Sequence, residues 1–376
     1  EDDPDKLKRN EYILKALPIN DQWNYTVGVK YEHRAKKSRQ VFYVSQNRLN
    51  NGAYKYQDND ESSEDNLLFR YNSMEVENKF RFENIWNVKG WKITAGLGYE
   101  WARYTNKTYS KVVINNMPSE IDFESKLDVH KMSFFGQVTK SFFKEYLTLT
   151  AGLRGDFSPY NKKMINPLEQ LSPTIGTKVK IYNTLMFNAS ASMNHQLPAY
   201  TILGFRDAAG TLVNQDNVKY MRVQQYSGGF EYTSTWNGRF TVEGFYKNYL
   251  NYPFSIDKQI SLANLGADFG VVGNEAVNSD SKGRSYGMEF LYQQKMKNGY
   301  YGLISYTYVN SAFENEKSEL VASSWDSKHI LSASAGKRFK KGWELGLRFT
   351  YSGGAPYTPI DIQTSTTPGL WEINTS

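Results

Sequence analysis

The sequence predicts an all-β protein, an antiparallel transmembrane β-barrel with about fourteen visible strands. Three observations lead to this fold class. Apolar and polar side chains alternate over runs of about ten to fourteen residues, which is the two-residue period of a strand. Short turns alternate with long polar stretches along the chain. Aromatic residues make up 15% of the 376 residues, with 28 Tyr, although the mean hydropathy is −0.62.

The run from Trp343 to Ser352 shows the alternation most clearly. Its odd-numbered positions are apolar or aromatic, and its even-numbered positions are polar or small. We expect the apolar face to meet lipid and the polar face to meet a lumen, so that a change such as Gly96→Ser on the polar face costs little. The same pattern recurs in the runs Trp23–Glu32, Trp91–Tyr104 and Leu147–Arg154.

Seven short turns rich in Gly, Asn, Asp or Lys predict seven hairpins, and thus about fourteen strands. The turns are predicted at Ile19–Gln22, Asn87–Gly90, Lys144–Glu145, Tyr182–Asn183, Asn237–Gly238, Lys297–Gly299 and Lys340–Gly342. Long loops are predicted at Ala35–Asp65, Thr105–Leu127, Ser158–Glu169, Asn194–Val218, Asn251–Lys282 and Ala312–Ser324. Outer-membrane barrels alternate short periplasmic turns with long extracellular loops in this way.

The spacing of the tryptophans favours a membrane barrel over a soluble sheet. Trp91 and Trp101 would be about 25 Å apart along the axis of a barrel with strands tilted by about 40°, which is the height of the apolar band. A β-sandwich would have shorter strands, and a propeller would have a fixed repeat. A cross-strand aromatic cluster in a soluble sheet is the alternative explanation. Five tryptophans lie within or beside predicted short turns and would form one girdle: Trp23, Trp86, Trp91, Trp236 and Trp343.

Composition and motifs argue against an enzyme. The absence of cysteine excludes a disulfide framework, a Cys-ligated zinc site and a Cys nucleophile. His33, His130, His195 and His329 are far apart in sequence, and no metal-binding, phosphate-binding or nucleophile motif accompanies them. The net charge of +6 contains no basic block, so no nucleic-acid partner is predicted. We expect no catalytic residue, no cofactor site and no metal site.

Two polar segments have alternative interpretations. The acidic run Asp58–Asn66 is either a solvated extracellular loop or a site for a divalent ion. The segment Leu203–Asn217 carries Arg206 and Asp207 among apolar residues, and either touches a substrate or is an exposed loop.

The two chain ends are predicted on the side of the long loops. If the short turns are periplasmic, Glu1 begins outside and Ser376 ends outside, whereas a complete bacterial barrel has both ends in the periplasm. The sequence therefore predicts a partial barrel without closing strands. We expect these residues not to form a functional pore alone, because unpaired strand edges are not tolerated in hydrocarbon.

Several segments resemble TonB-dependent outer-membrane receptors, best between Leu171 and Pro359. They carry a Ser-Pro strand, a Gln-x-Pro loop start, a Tyr-Lys pair, a Trp-Asp-x-x-His strand start and a Ser-Gly-x-Pro-Tyr-Thr-Pro loop: Ser172, Pro173, Gln196, Pro198, Tyr246, Lys247, Trp325, Asp326, His329 and the run YSGGAPYTP. Thr174 stands where an Arg is common in the family, and no plug or TonB box is present.

The resemblance implies that residues 1–376 are part of a 22-stranded barrel domain, without the plug, in the outer membrane of a Gram-negative cell. It implies active import of a scarce nutrient such as a siderophore, vitamin, glycan or peptide. The implied partners are the lipid bilayer, TonB through an N-terminal region, the small-molecule or oligomeric nutrient and, in one type of receptor, a surface lipoprotein. A passive 14-stranded channel and a structural or surface-binding barrel of a larger envelope assembly are the alternatives. The candidate ligand-binding residues, on an extracellular loop and the rim, are Tyr200, Phe205, Arg206, Asp207 and Trp325.

Overall fold

The computed structural model describes residues 17–114, 117–207, 209–265 and 275–356. These residues form sixteen strands, one short helix and four 3-10 turns. Among them, no helix is long and apolar enough to cross a membrane. The strands are β1 Ile19–Arg34, β2 Ser38–Tyr56, β3 Leu67–Val88, β4 Trp91–Ile114, β5 Met117–Phe142, β6 Leu147–Phe157, β7 Leu171–Lys180, β8 Leu185–Gln196, β9 Met221–Thr233, β10 Gly238–Ser255, β11 Ile260–Ser261, β12 Val277–Lys297, β13 Tyr300–Glu314, β14 Leu320–Ala322, β15 His329–Arg338 and β16 Glu344–Ser352; the helix α1 is Tyr200–Leu203, and the 3-10 turns are Gln57–Asn59, Glu64–Asn66, Leu262–Asn264 and Lys340–Gly342.

Fourteen of the strands form one continuous antiparallel sheet in chain order, from β1 to β16. The two short strands β11 and β14 pair beside this path, with β10 and β13. Within the described residues, β1 pairs with β2 alone and β16 with β15 alone. The predicted antiparallel meander of about fourteen strands is thus confirmed.

The two faces of the sheet differ as the alternation predicts. The apolar side chains point away from the connections and stay exposed: Val29 is 71% exposed, Leu97 59% and Leu347 74%. On the opposite face the long connections cover the parts of β4 and β5 that lie far from the short turns, where Tyr104 is 1% exposed. The covered face is the inner wall of a barrel, and the exposed apolar face is its outer wall.

Six of the seven predicted short turns lie between consecutive strands, but the first prediction is wrong. Ile19–Gln22 belongs to β1, where it pairs with Asn51–Tyr54 of β2. The first short turn is instead at residues 35–37. Trp23 therefore lies at the end of β1 far from that turn and does not belong to the predicted girdle. Trp86, Trp91, Trp236 and Trp343 do lie within or beside short turns.

Two segments predicted as long loops are largely strand. Ala35–Asp65 contains all of β2, and Thr105–Leu127 contains the ends of β4 and β5. These strands are long, with 24 residues in β4 and 26 in β5 against 10 in β7. An apolar band about 25 Å high needs only about ten residues of a tilted strand. Beyond this band the outer face meets water, so the outward side chains of β4 become polar at Arg103, Thr105 and Lys107, and the alternation disappears while the backbone pairing continues.

The buried apolar core lies between the long connections and the inner wall. Residues from the connections 158–170, 197–220 and 256–276 pack against β4 and β5. The cluster contains Ala102, Tyr104, Leu127, Val129, Tyr160, Met164, Tyr200, Ile202, Leu203, Val218, Tyr220, Leu262 and Val277. The core thus holds the connections against one another at the end of the barrel that lies far from the short turns.

Two glycines of the sheet lie directly opposite aromatic residues. Gly155 of β6 pairs with Phe134 of β5, and Gly336 of β15 pairs with Tyr301 of β13. A Cβ added at either glycine would overlap the ring of its partner. Each ring therefore occupies the space that a side chain of the opposite strand would fill.

Candidate ligand-binding site in the lumen

A row of alternating charges, which we call the charge ladder, crosses the inner wall. Lys79 of β3, Glu100 of β4 and Lys131 of β5 lie directly opposite one another in the sheet register. Lys79 Nζ is 3.7 Å from Glu100 Oε2, and Lys131 pairs with the same carboxylate. Glu77, two residues before Lys79, completes the cluster at 2.6 Å from Lys79 and 3.6 Å from Lys131. Two lysines and two carboxylates neutralise one another on the wall of the lumen.

Tyr200 anchors the connection 197–220 to this cluster. Its hydroxyl donates to Glu77 Oε1 at 2.8 Å and accepts a hydrogen bond from Lys131 Nζ at 2.7 Å. Its ring stacks on Tyr104 with 6.2 Å between ring centroids. Burial, together with the nearby carboxylates of Glu77 and Glu100, raises the pKa of the Tyr200 hydroxyl well above its ordinary value, so the hydroxyl stays protonated. Tyr200 therefore docks the helix α1 against the wall.

Buried amide side chains join the connections to one another. Asn214, which is fully buried, donates to the backbone oxygens of Ile202 and Glu275, each at 2.9 Å. Its Oδ1 accepts the backbone N–H of Val277, also at 2.9 Å. The hydroxyl of Tyr160 donates to the backbone oxygen of Leu203 at 2.7 Å. Three separate connections are thus tied into one unit.

Phe205, Arg206 and Asp207 form the beginning of a small hairpin within the connection 197–220. Arg206 donates to the backbone oxygens of Gly210 at 2.6 Å and Lys126 at 3.1 Å. Asp207 Oδ1 accepts the backbone N–H groups of residues 209 and 211 at 3.0 and 2.8 Å. Phe205 packs edge-on against Phe123. These contacts shape the hairpin, and the role of the three residues in binding a ligand stays a prediction.

Trp325 lies in a different connection, between β13 and β15. Its indole N–H donates to Ser311 Oγ at 3.1 Å, and its ring packs edge-on against Phe313. The side chain is 47% exposed. The structure therefore groups Tyr200, Phe205, Arg206 and Asp207 on one connection and places Trp325 on another.

A cavity of 540 Å³ lies between the charge ladder and the connection 197–220. This volume is within the range of small-molecule sites, which is about 300–1,000 Å³. Its lining includes the charge ladder, Tyr200, the bidentate pair of Arg154 and Asp156, and His195. The cavity thus offers donors and acceptors of both charges, and we call it the lumen cavity.

Most residues of the charge ladder were not among the candidates from sequence. Of the ladder, Glu100 alone was assigned to the lumen face from the run Trp91–Tyr104. A detectable signal was present in β3, where every second residue is charged: Glu75, Glu77, Lys79, Arg81 and Glu83. Five charged residues at alternate positions of one strand indicate a polar inner wall.

In the acidic run Asp58–Asn66, the carboxylate of Glu64 is bound by neighbouring side chains. Glu64 Oε1 accepts hydrogen bonds from Arg70 and from the Tyr56 hydroxyl, both at 2.9 Å. The Arg70 guanidinium lowers the pKa of the Glu64 carboxyl. In the part of the chain that the structure describes, no group of three His, Asp or Glu side chains is arranged to hold a metal ion.

Tyr200→Phe is expected to loosen α1 without unfolding the barrel. The change removes two hydrogen bonds to charged groups, while Lys131 keeps both carboxylates as partners. The expected cost to the docking of α1 is about 2 kcal/mol. Hydrogen exchange of the amides of residues 200–204 should accelerate, whereas that of β4 and β5 should not. Unchanged exchange in α1 would contradict the anchoring role.

Comparison with known proteins gives a family and a set of related folds. The family model described as "TonB dependent receptor-like, beta-barrel" matches residues 2–376. A comparison of the sequence with curated proteins gives no match. Many solved structures are similar in fold, among them the following three. The copper transporter OprC has a TM-score of 0.64 and 15% identity, covering 89% of this chain and 52% of that chain. The ferripyoverdine receptor of the outer membrane of Pseudomonas aeruginosa has a TM-score of 0.65 and 14% identity, covering 93% and 48%. The ferric-catecholate import receptor Fiu from E. coli K12 has a TM-score of 0.61 and 11% identity, covering 89% and 54%. The chain spans about half the length of these structures, and identities this low show likeness of fold alone.

Proposed function

Because the chain belongs to the TonB-dependent receptor β-barrel family, we propose that it forms part of the wall of an active transporter that imports a scarce nutrient. Members of this family are outer-membrane proteins of Gram-negative bacteria, and the exposed apolar face of the sheet suits that location. The relatives named above transport or bind copper, ferripyoverdine and ferric catecholates. A siderophore, a vitamin, a glycan and a peptide are all candidates for the nutrient that this receptor imports.

The observation that carries the proposal is the connection 197–220, which is folded onto the inner wall and held there. Tyr200 docks it on charged side chains, and Asn214 ties it to a neighbouring connection. A passive channel works through an open lumen, and an ordered connection beside a cavity of small-molecule size obstructs one. Ordered connections at the mouth of a rigid barrel favour a receptor that holds its ligand before transport.

Uptake measurements with the natural full-length protein test the proposal. Cells that carry the gene, cells that lack it and cells that lack TonB are compared for uptake of labelled siderophore chelates, copper, vitamins, glycans and peptides. We expect uptake of at least one nutrient to require both the gene and TonB. Collapse of the proton-motive force should abolish that uptake as completely as loss of TonB does.

Two other outcomes would support the alternative functions. Uptake that needs the gene but neither TonB nor the proton-motive force would indicate a passive channel. A barrel that supports no uptake but co-purifies with envelope proteins would indicate a structural or surface-binding role. Pairing with a surface lipoprotein is a further proposal, which affinity purification from solubilised outer membranes would test.

Cysteine labelling of intact cells tests the orientation of the sheet. Glu61 lies in the connection between β2 and β3, whereas Lys89 and Lys341 lie in short turns at the opposite end. We expect Glu61→Cys to react with a membrane-impermeant thiol reagent, and Lys89→Cys and Lys341→Cys to react after lysis alone. Labelling in the reverse order would show that the short turns face outward. Ala208, a second candidate for external labelling, lies outside the described residues.

A further inference from the structure

A second cavity, of 510 Å³, lies beside the lumen cavity and shares His195 and Tyr220 with it. Three cations from three segments line this second cavity. Lys163 comes from the connection 158–170, Lys219 from the connection 197–220 and Arg222 from β9. We call this space the basic cavity.

The positive charges of the basic cavity are not balanced by carboxylates. In the described part of the chain, none of its three cations forms an ion pair. Lys163 Nζ donates to the backbone oxygen of Asp216, and the buried Nε of Arg222 has no hydrogen-bond partner. The carboxylate in the lining, Glu169, accepts a hydrogen bond from Asn166 at 3.2 Å. Three positive charges against one negative charge produce a field that attracts anions.

The walls of the basic cavity are fixed before any ligand binds. Asn161, which is 9% exposed, donates to the backbone oxygens of Gln215 at 2.6 Å and Val218 at 3.0 Å. These bonds join the connection that carries Lys163 to the one that carries Lys219. The backbone N–H of Lys219 donates to Ser279 Oγ at 2.9 Å. A site whose backbone is already ordered loses little conformational entropy on binding.

We propose that the basic cavity binds a small organic anion through a phosphate or carboxylate group. The planar guanidinium of Arg222 can hold two oxygens of such a group, while the lysines add charge without fixed geometry. Ser172 Oγ is 3.0 Å from His195 Nδ1, which leaves Nε2 as the ring nitrogen for a ligand. A volume of 510 Å³ holds more than a bare ion, because small-molecule sites begin at about 300 Å³. This inference deepens the proposed function and rests on it for the statement that the anion is the imported nutrient.

Calorimetric titration of the natural full-length protein in detergent tests the proposal. The probes are glucose 6-phosphate, inorganic phosphate and succinate, with glucose as the uncharged counterpart of the first. We expect at least one anion to bind and glucose not to bind. Preference for the phosphates would identify a phosphate ester as the ligand class, and preference for succinate would identify a carboxylate. Arg222→Gln should weaken binding of the anion about tenfold, the loss expected for one charge-assisted hydrogen bond.

Lys162→Gln is the matched control. Lys162 is exposed beside Lys163 but does not line the basic cavity. This variant should bind the anion as the unmodified protein does. Three results would overturn the proposal: no anion binds better than glucose, Arg222→Gln binds normally, or Lys162→Gln loses as much affinity as Arg222→Gln. Binding to the purified protein needs neither TonB nor an energised membrane. A positive titration with failed uptake would therefore reject the transport function and leave the anion site standing.

Discussion

Leu97→Arg is expected to destabilise the barrel by about 2–4 kcal/mol, because it places a charge against hydrocarbon near the middle of the bilayer. Leu97 is 59% exposed on the outer wall of β4, between Trp91 and Trp101. Leu347→Arg, on the same face of β16, should have a similar cost. Urea unfolding of the full-length protein in lipid vesicles measures the change in the free energy of unfolding. The comparison is valid if this free energy falls equally steeply with urea concentration in the variant and in the unmodified protein.

Gln137→Arg is the control for this prediction. Gln137 lies on the inner face of β5, opposite Thr94 of β4, and is exposed. An arginine there meets a polar lumen, so its cost should stay within about 0.5 kcal/mol of zero, as for most surface changes. Equal costs for Leu97→Arg and Gln137→Arg would refute the assignment of the two faces. From the sequence alone, Gly96→Ser is expected to cost little stability. It is not a usable control, because an added Cβ would overlap the Phe82 backbone oxygen and the Phe135 ring.

Asn214→Ala is expected to release the connections from one another at a cost of about 3–5 kcal/mol. The change removes three hydrogen bonds and leaves the backbone oxygens of Ile202 and Glu275 and the N–H of Val277 without this partner. A buried group that loses its partner costs about 1–3 kcal/mol. Amides of residues 201–204 and 277–279 should exchange at least about a hundredfold faster, which is the equivalent of 3 kcal/mol.

Apart from the first residues of β12, where Val277 donates to Asn214, the strands of the barrel should be insensitive to this change, because their hydrogen bonds run between neighbouring strands. Asn217→Ala provides the comparison, since Asn217 is exposed three residues further along the same connection. Exchange rates in Asn217→Ala should match those of the unmodified protein. If Asn214→Ala left the exchange of residues 201–204 unchanged, the connection would be held mainly by its apolar contacts.

The fold could be predicted from sequence wherever one face of a strand meets lipid. Trp343, Leu345 and Leu347 alternate with polar residues because hydrocarbon and water lie on opposite sides of β16. All of β2 was predicted as part of a long loop, because the half of the strand around Asn47 and Asn51 is polar on both sides and hides the alternation. The error moved the first turn to Ile19–Gln22 and placed Trp23 at the wrong end of its strand.

The site could be predicted only in part, because it depends on which strands become neighbours. Arg206 and Asp207 were predicted as a group from their position in one polar segment. The charge ladder joins Lys79, Glu100 and Lys131, which are more than twenty residues apart in sequence and become adjacent through the register of β3, β4 and β5. Tyr200 was predicted as a ligand contact, and no pattern in the sequence indicates that its hydroxyl is bonded to Glu77 and Lys131.

The pairs of glycine and aromatic residues on adjacent strands constrain how this sequence can evolve. At Gly155, an added side chain overlaps the ring of Phe134, so the glycine can change only if that ring moves or is replaced. Replacement of Phe134 by a small residue removes the obstacle but leaves the glycine without the ring that covers it. The same order of events applies to Gly336 and Tyr301. Substitutions at these positions are therefore epistatic, and in related lineages we expect the two members of each pair to change together, with the aromatic residue replaced first.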